Sequence, residues 1–204
     1  MPILDASGAS LDAALDAAVS VLSAGGVVGL PTDTVYGLAS DPKVDGSSDA
    51  VFALKGRPEH TPLPVLVADL AQADELGRLG TPAHRLAEAF WPGGLTLVVP
   101  RRPGVDWDLG GDPATIGLRC PDHAVARALC ARAGAVTATS ANRHGEPPLA
   151  GASEVAESFP GLIVLDGGEC RGVSSTVVDL TGSRPALLRA GAVAWERIER
   201  LIDG

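Results

Sequence analysis

The feature that most restricts the fold is a set of short apolar runs with no polar face. Residues 27–30 (Val-Val-Gly-Leu), 95–99 (Leu-Thr-Leu-Val-Val) and 135–139 (Ala-Val-Thr-Ala-Thr) are each bounded by glycine, proline or a polar turn. Runs this short and without alternation read as strands buried on both faces, because a half-exposed strand alternates polar and apolar residues. Residues 64–68, 115–119 and 162–165 read the same way. Between the strands lie stretches of helical periodicity. In 10–25, Leu11, Ala14, Leu15, Ala18, Val19 and Leu22 fall on one face, Ser10 stands at the cap position and Gly25-Gly26 ends the run. Residues 48–55, 82–91, 122–133 (with Asp122 as an acidic cap) and 195–202 read as further helices. This alternation predicts an α/β fold, an open twisted mixed sheet covered by helices. Residues 175–180 and 186–189 follow each other around Thr181-Gly182-Ser183, which predicts an antiparallel pair. No repeat or linker interrupts the pattern, so residues 1–204 read as a single domain. Residues 101–114, rich in Gly, Pro and Asp, are the most loop-like stretch and fit either a lid or a long surface connection.

Composition narrows the function classes. Sixteen Lys and Arg against 25 Asp and Glu give a net charge of −9, whereas a protein that grips a nucleic-acid backbone carries a basic excess or stripe. Aromatics are only 3% of the chain, which leaves few side chains for base stacking. Weak or no direct nucleic-acid binding is therefore expected. Cys120, Cys130 and Cys170 form no CxxC pair and read as reduced thiols packed as small hydrophobes. His60, His84, His123 and His144 show no ligand spacing, and His84 and His123 read as surface residues near helix starts. No protein-ligated metal is expected. The N-terminus has no basic region followed by an apolar one, and no apolar run approaches the roughly 18 residues of a membrane span. The reading is a soluble cytoplasmic protein. The common phosphate-loop, dinucleotide, zinc-protease and nucleophile-elbow motifs are absent.

Chemistry concentrates instead in polar segments set against apolar strands. Pro31-Thr32-Asp33-Thr34-Val35-Tyr36-Gly37-Leu38 follows a buried strand, where α/β proteins place ligands; the same hydroxyls and carboxylate also suit a self-capped turn. Lys55-Gly56-Arg57 pairs a compact charge with a planar fork, a combination suited to polyphosphate, and equally to a helix C-terminus favoured by the dipole. Thr139-Ser140-Ala141-Asn142 reads as an anion-binding nest or a polar turn. Ser174-Ser175-Thr176 and Leu188-Arg189 put hydroxyls before one strand and a cation at the end of another. Arg119 ends an apolar strand, and a charge in that position needs a partner or a ligand.

Taken together and in order, these segments resemble the YrdC-like family of threonylcarbamoyl-AMP synthases. The resemblance runs from about Gly26 to Gly191 and rests on PTDTVYGL at 31–38, the KxR pair Lys55 and Arg57, WPGGLTL at 91–97, TIGLR at 115–119, TSAN at 139–142, SSTVV at 174–178 and LRAG at 188–191. It implies a large concave cavity lined by these motifs. It further implies that threonine and bicarbonate form a carbamate whose oxygen attacks the α-phosphorus of ATP, giving threonylcarbamoyl-AMP and pyrophosphate. A separate transferase would then modify tRNA. Lys55 and Arg57 are the implied catalytic cations. Thr61, Thr115, Ser140, Asn142 and Arg189 join them near ATP, with Mg²⁺. Thr32, Thr34, Arg119, Thr139 and Ser175 fall near threonine, where the Arg119 fork suits a carboxylate.

The chain departs from the family pattern at Leu66, where members commonly carry His, and at Ala190, where many read LRPG. The resemblance implies a short form without the extra C-terminal domain of longer members. Two other readings follow from the same fold: a paralogue with a different carbamoyl acceptor, as in hydrogenase maturation proteins, and an RNA- or ribosome-binding module without catalysis.

Overall fold

A computed structural model describes residues 2–56, 61–143, 145–170 and 172–202. Ten strands form one mixed sheet: β1 (Ile3–Asp5), β2 (Val28–Leu30), β3 (Gly37–Ser40), β4 (Val65–Leu66), β5 (Leu95–Pro100), β6 (Thr115–Arg119), β7 (Val136–Ser140), β8 (Ile163–Asp166), β9 (Thr176–Asp179) and β10 (Ala186–Arg189). Their spatial order is β1-β8-β2-β3-β7-β4-β6-β5-β9-β10. Pairing is parallel at β1/β8, β2/β8, β4/β6 and β5/β9, and antiparallel at the other junctions, including β9/β10. The helices are α1 (Leu11–Ser23), α2 (Ser47–Lys55), α3 (Leu70–Leu76), α4 (Thr81–Phe90), α5 (Ala124–Ala133), α6 (Ala152–Ser158) and α7 (Trp195–Ile202). The predicted mixed α/β sheet with helical covering is thus what forms.

The packing follows from the patterning. Strands β2 and β3 are buried at every residue, as runs without a polar face require. Helix α1 buries Ala14, Leu15, Ala18 and Leu22, and this face packs with Val125, Leu129 and Val136. A second core joins Leu86 and Ala87 of α4 to Leu95, Leu97, Val99 and Leu118, with Ile198 of α7. Helix α2 stops because Gly56 takes the left-handed conformation at φ +60° and its N–H caps Ala53 O. Its last residue, Lys55, is thereby fixed where the chain turns away.

Several local expectations are corrected. Ser10 does not cap α1; it sits in a 3-10 turn with helical backbone angles and makes no side-chain cap bond. Asp122 is not the cap of α5, which begins at Ala124 after His123; the backbone N–H of Asp122 bonds Asp33 Oδ1 and its carboxylate meets Arg127. Strands β1 and β3 and helices α3 and α6 were not anticipated. Strand β4 is only two residues long. All three cysteines are free thiols, and burial pushes Cys130 up to about 12 and Cys120 up to about 11.

His123 is half-buried rather than exposed on the surface. Its Nδ1 is sealed from solvent without a partner among the described residues, and a Cβ on Gly167 would lie 2.7 Å from its ring. Burial holds its pKa below the usual histidine value. Below about pH 6.5 the unfolded imidazole takes up a proton that the folded one refuses. Stability is therefore expected to rise with pH between the folded pKa and about 6.5. Urea melts across that window check this, and His123→Leu should flatten the slope.

Candidate active site

One cavity of about 710 Å³ opens against the sheet, within the range of small-molecule sites. On β6, Thr115, Gly117 and Arg119 recur with period two and all line it. With no side chain at Gly117, the floor between the two polar ends stays open.

The turn between β2 and β3 supplies Thr32 and Thr34. Thr32 Oγ1 donates to Val35 O at 2.6 Å and accepts from the N–H groups of Thr34 and Val35, so it holds the turn's shape. Thr34 Oγ1 lies 2.9 Å from Thr32 Oγ1 and accepts from Arg119 Nη1 at 2.9 Å. Arg119 also donates through Nε to Gly93 O at 3.0 Å and through Nη2 to Asp33 Oδ1 at 2.5 Å. Its guanidinium is desolvated by burial, and the Asp33 charge favours the ionised form. Among the described residues three of its five N–H groups are engaged, which leaves one on each Nη.

The end of β7 meets α2. Lys55, buried at the helix end, donates to Asn142 O at 2.8 Å, to Asn142 Oδ1 at 3.1 Å and to Ser140 O. Ser140 Oγ donates to the same Asn142 Oδ1 at 2.5 Å. The amide nitrogen of Asn142 bonds Arg143 O and Glu146 O, which locks the loop. Thr139, nearly buried on β7, and Thr61 also line the cavity. Across from them, Arg189 Nε and Nη2 donate to Ser175 O at 3.0 Å and Ser175 Oγ at 2.8 Å. Ser175 Oγ in turn pairs with Thr96 Oγ1 at 2.9 Å.

The cavity thus brings together Thr32, Thr34, Lys55, Thr61, Thr115 and Arg119 with Thr139, Ser140, Asn142, Ser175 and Arg189. Arg57 lies outside the described residues. Leu66 lines the cavity and stands in register with Arg119 on one side and Val136 on the other. Sequence reasoning did not assign Asp33 to Arg119. The signal was present: a buried-strand arginine needs an anion, and Asp33 is the only carboxylate in the first polar segment. It also missed Thr96, Arg101, Asp112 and Asp179, which line the same space.

Residues 101–114 form an anchored wall of this cavity. Leu63 N donates to Leu109 O at 2.8 Å and Ser48 Oγ to Asp108 O at 2.5 Å. Gly111, at φ +70°, approaches Pro62 so closely that a Cβ would lie 2.4 Å from the ring.

A family model described as "Telomere recombination", that of Sua5, YciO and YrdC, matches residues 20–191. The chain belongs to this family. It is similar to a Pyrococcus abyssi protein named threonylcarbamoyl-AMP synthase, 40% identical over 190 residues, which cover 91% of this chain and 56% of the relative. The chain therefore spans little more than half of that relative's length. A Mycobacterium tuberculosis protein named putative threonylcarbamoyl-AMP synthase is 38% identical over 91% of this chain and 87% of its own length. Among solved structures, that of P. abyssi Sua5 complexed with L-threonine superposes with a TM-score of 0.92 at 37% identity, covering 99% of this chain and 61% of that one. E. coli YciO shares the fold, with a TM-score of 0.85 at 23% identity over 96% of both chains. No helix among the described residues is long and apolar enough to cross a membrane.

Proposed function

We propose that this chain is an L-threonylcarbamoyladenylate synthase, a nucleotidyltransferase that works as one YrdC-like unit in the cytoplasm. The observation that carries the reading is the convergence of every described site residue named from sequence on one cavity. The names of the similar proteins, and a relative's structure holding L-threonine, support it.

The chemistry runs in two bond-forming steps. The threonine amine attacks the bicarbonate carbon and water leaves, giving a carbamate. A carbamate oxygen then attacks the α-phosphorus of ATP, the bond to the bridging oxygen of the β-phosphate breaks, and pyrophosphate departs. Such a transfer depends on positioning and on cations that meet the developing charge. Arg119 holds the amino-acid carboxylate through its remaining N–H groups, with the Thr34 hydroxyl beside it. Thr32, Thr139 and Ser175 shape the same end. Lys55 and Arg57 meet the departing pyrophosphate, and Arg189, braced on Ser175, meets the α-phosphate. Ser140, Asn142, Thr61 and Thr115 complete the nucleotide wall. Among the described residues no group of three or more His, Cys, Asp or Glu is placed to hold a metal ion. Mg²⁺ carried on the triphosphate with water ligands needs no such cage, and it would add charge neutralisation there. The product passes to a downstream tRNA-modifying transferase.

Pyrophosphate release from ATP tests this, comparing threonine, serine and no amino acid, with and without bicarbonate. Release that requires threonine and bicarbonate together is expected. Release with another amine alone would mark a paralogue with a different acceptor, and failure to bind ATP would favour the RNA-binding module.

A further inference from the structure

One cation of the cavity wall has no part in the reading above. Arg101 stands where β5 gives way to the 101–114 wall and lines both the cavity and a smaller one of about 350 Å³ within that wall. Its Nε donates to Thr115 O at 3.1 Å, and its Nη1 donates to Trp107 O at 2.7 Å and more loosely to Val105 O at 3.5 Å. Its own backbone N–H bonds Ala114 O at 2.8 Å. The guanidinium is thus pinned by carbonyls from the middle of the segment it begins, Val105 and Trp107, and from Thr115 just past its end. Its remaining amino group, Nη2, has no bond among the described residues and is not sealed from solvent. A pinned arginine with one free amino group on a cavity wall is a donor already oriented for a ligand.

The charges around it decide which part of a ligand that is. Asp106, Asp108 and Asp112 all lie close enough to act on the Arg101 charge, and Asp112 lines the cavity as well. With its charge offset by these carboxylates, Arg101 suits a neutral acceptor better than a polyphosphate. Arg189, by contrast, is held among the described residues only by oxygens of Ser175. Position agrees with this division. Thr115, whose carbonyl holds Arg101, and Arg119 are the two ends of β6, about 13 Å apart at roughly 3.3 Å per residue.

We infer that Arg101 is a nucleoside-binding residue: its Nη2 donates to an acceptor on the base or ribose of the nucleotide, against the wall formed by Leu109, Gly110 and Asp112. This rests on the reading of the cavity as a nucleotide site. Arg101 also positions that wall through the bonds of its Nε and Nη1.

The test is the affinity of wild type, Arg101→Met and Arg101→Lys for ATP and for inorganic tripolyphosphate, which carries the phosphates without the nucleoside. Circular dichroism and melting temperature report folding alongside. Arg101→Met should weaken ATP binding about tenfold, the loss of one hydrogen bond from a charged donor, and leave tripolyphosphate binding unchanged. Arg101→Lys should lose nearly as much, because an ammonium cannot keep both carbonyls and also reach the ligand; it decides the question by the same criteria if the methionine variant does not fold. A folded variant with wild-type ATP affinity, or one that loses ATP and tripolyphosphate in equal proportion, would overturn the inference. A wild-type chain without ATP affinity would instead overturn the underlying reading, and this one with it.

Discussion

Arg119→Ala is expected to cost about 3 kcal/mol of folding stability and to remove measurable threonine binding. The two effects have separate causes. The Arg119 and Asp33 side chains are 8% and 10% exposed, so the pair is buried rather than a surface ion pair of little net worth. Removing the arginine leaves a carboxylate in a desolvated site. Asp33 keeps one partner, the Asp122 N–H at 3.1 Å, which places the cost at the lower end of the usual range for breaking buried pairs. Loss of ligand binding follows from the two N–H groups that Arg119 still offers to the cavity. A second variant separates these effects. Combining Asp33→Asn with Arg119→Met removes both charges and should recover most of the stability while threonine binding stays lost. Denaturant melts and calorimetric titration with threonine read the two quantities. Unchanged threonine affinity in Arg119→Ala would defeat the assignment.

Lys55→Ala is expected to lower pyrophosphate release by about 10²- to 10³-fold, the range found when a preorganised donor to developing charge is removed. The carbonyls of Ser140 and Asn142 hold the ammonium at the junction of α2 and the β7 loop, so its charge is in place before the nucleotide arrives. Lys55→Arg should not rescue turnover. The acceptors converge on one nitrogen, and a planar fork cannot direct its donors to a single point. Single-turnover kinetics with circular dichroism as a folding control check both variants. Wild-type turnover by Lys55→Ala would take this residue out of the mechanism.

What the sequence revealed, and what it hid, has a consistent physical pattern. Strand β6 was legible because Thr-Ile-Gly-Leu-Arg is a short apolar run, and its terminal arginine stood out as a charge needing a partner. The ends of α2 and α7 were legible from periodicity and, for α2, from Gly56. Strand β3 was hidden, because Gly37-Leu38-Ala39-Ser40 has no β-branched residue and becomes a strand only through pairing with β2 and β7. The caps at Ser10 and Asp122 misled because residue type allows a cap but tertiary bonds decide it: the Asp122 N–H is held by a carboxylate 89 positions away. His123 misled for a similar reason, since proximity to a helix start says nothing about the close approach of Gly167 to its ring. In the site, Asp33 and Thr96 sit inside quoted motifs and were missed as partners of Arg119 and Ser175, whereas Arg101, Asp112 and Asp179 lie outside them. Arg101 and Asp112 lie in a stretch that reads as plain loop, and only the bonds from Leu63, Ser48 and Arg101 itself turn that stretch into a wall.

The most direct test of the central claim is mass spectrometry of the reaction product. Protein, ATP, Mg²⁺ and L-threonine would be incubated with ¹³C-labelled bicarbonate and the mixture resolved at once. A threonylcarbamoyl-AMP species that carries the label, and that disappears when threonine or bicarbonate is left out, is the predicted result. ATP consumed without any labelled adenylate of threonine, or a labelled adenylate of a different amine, would contradict it.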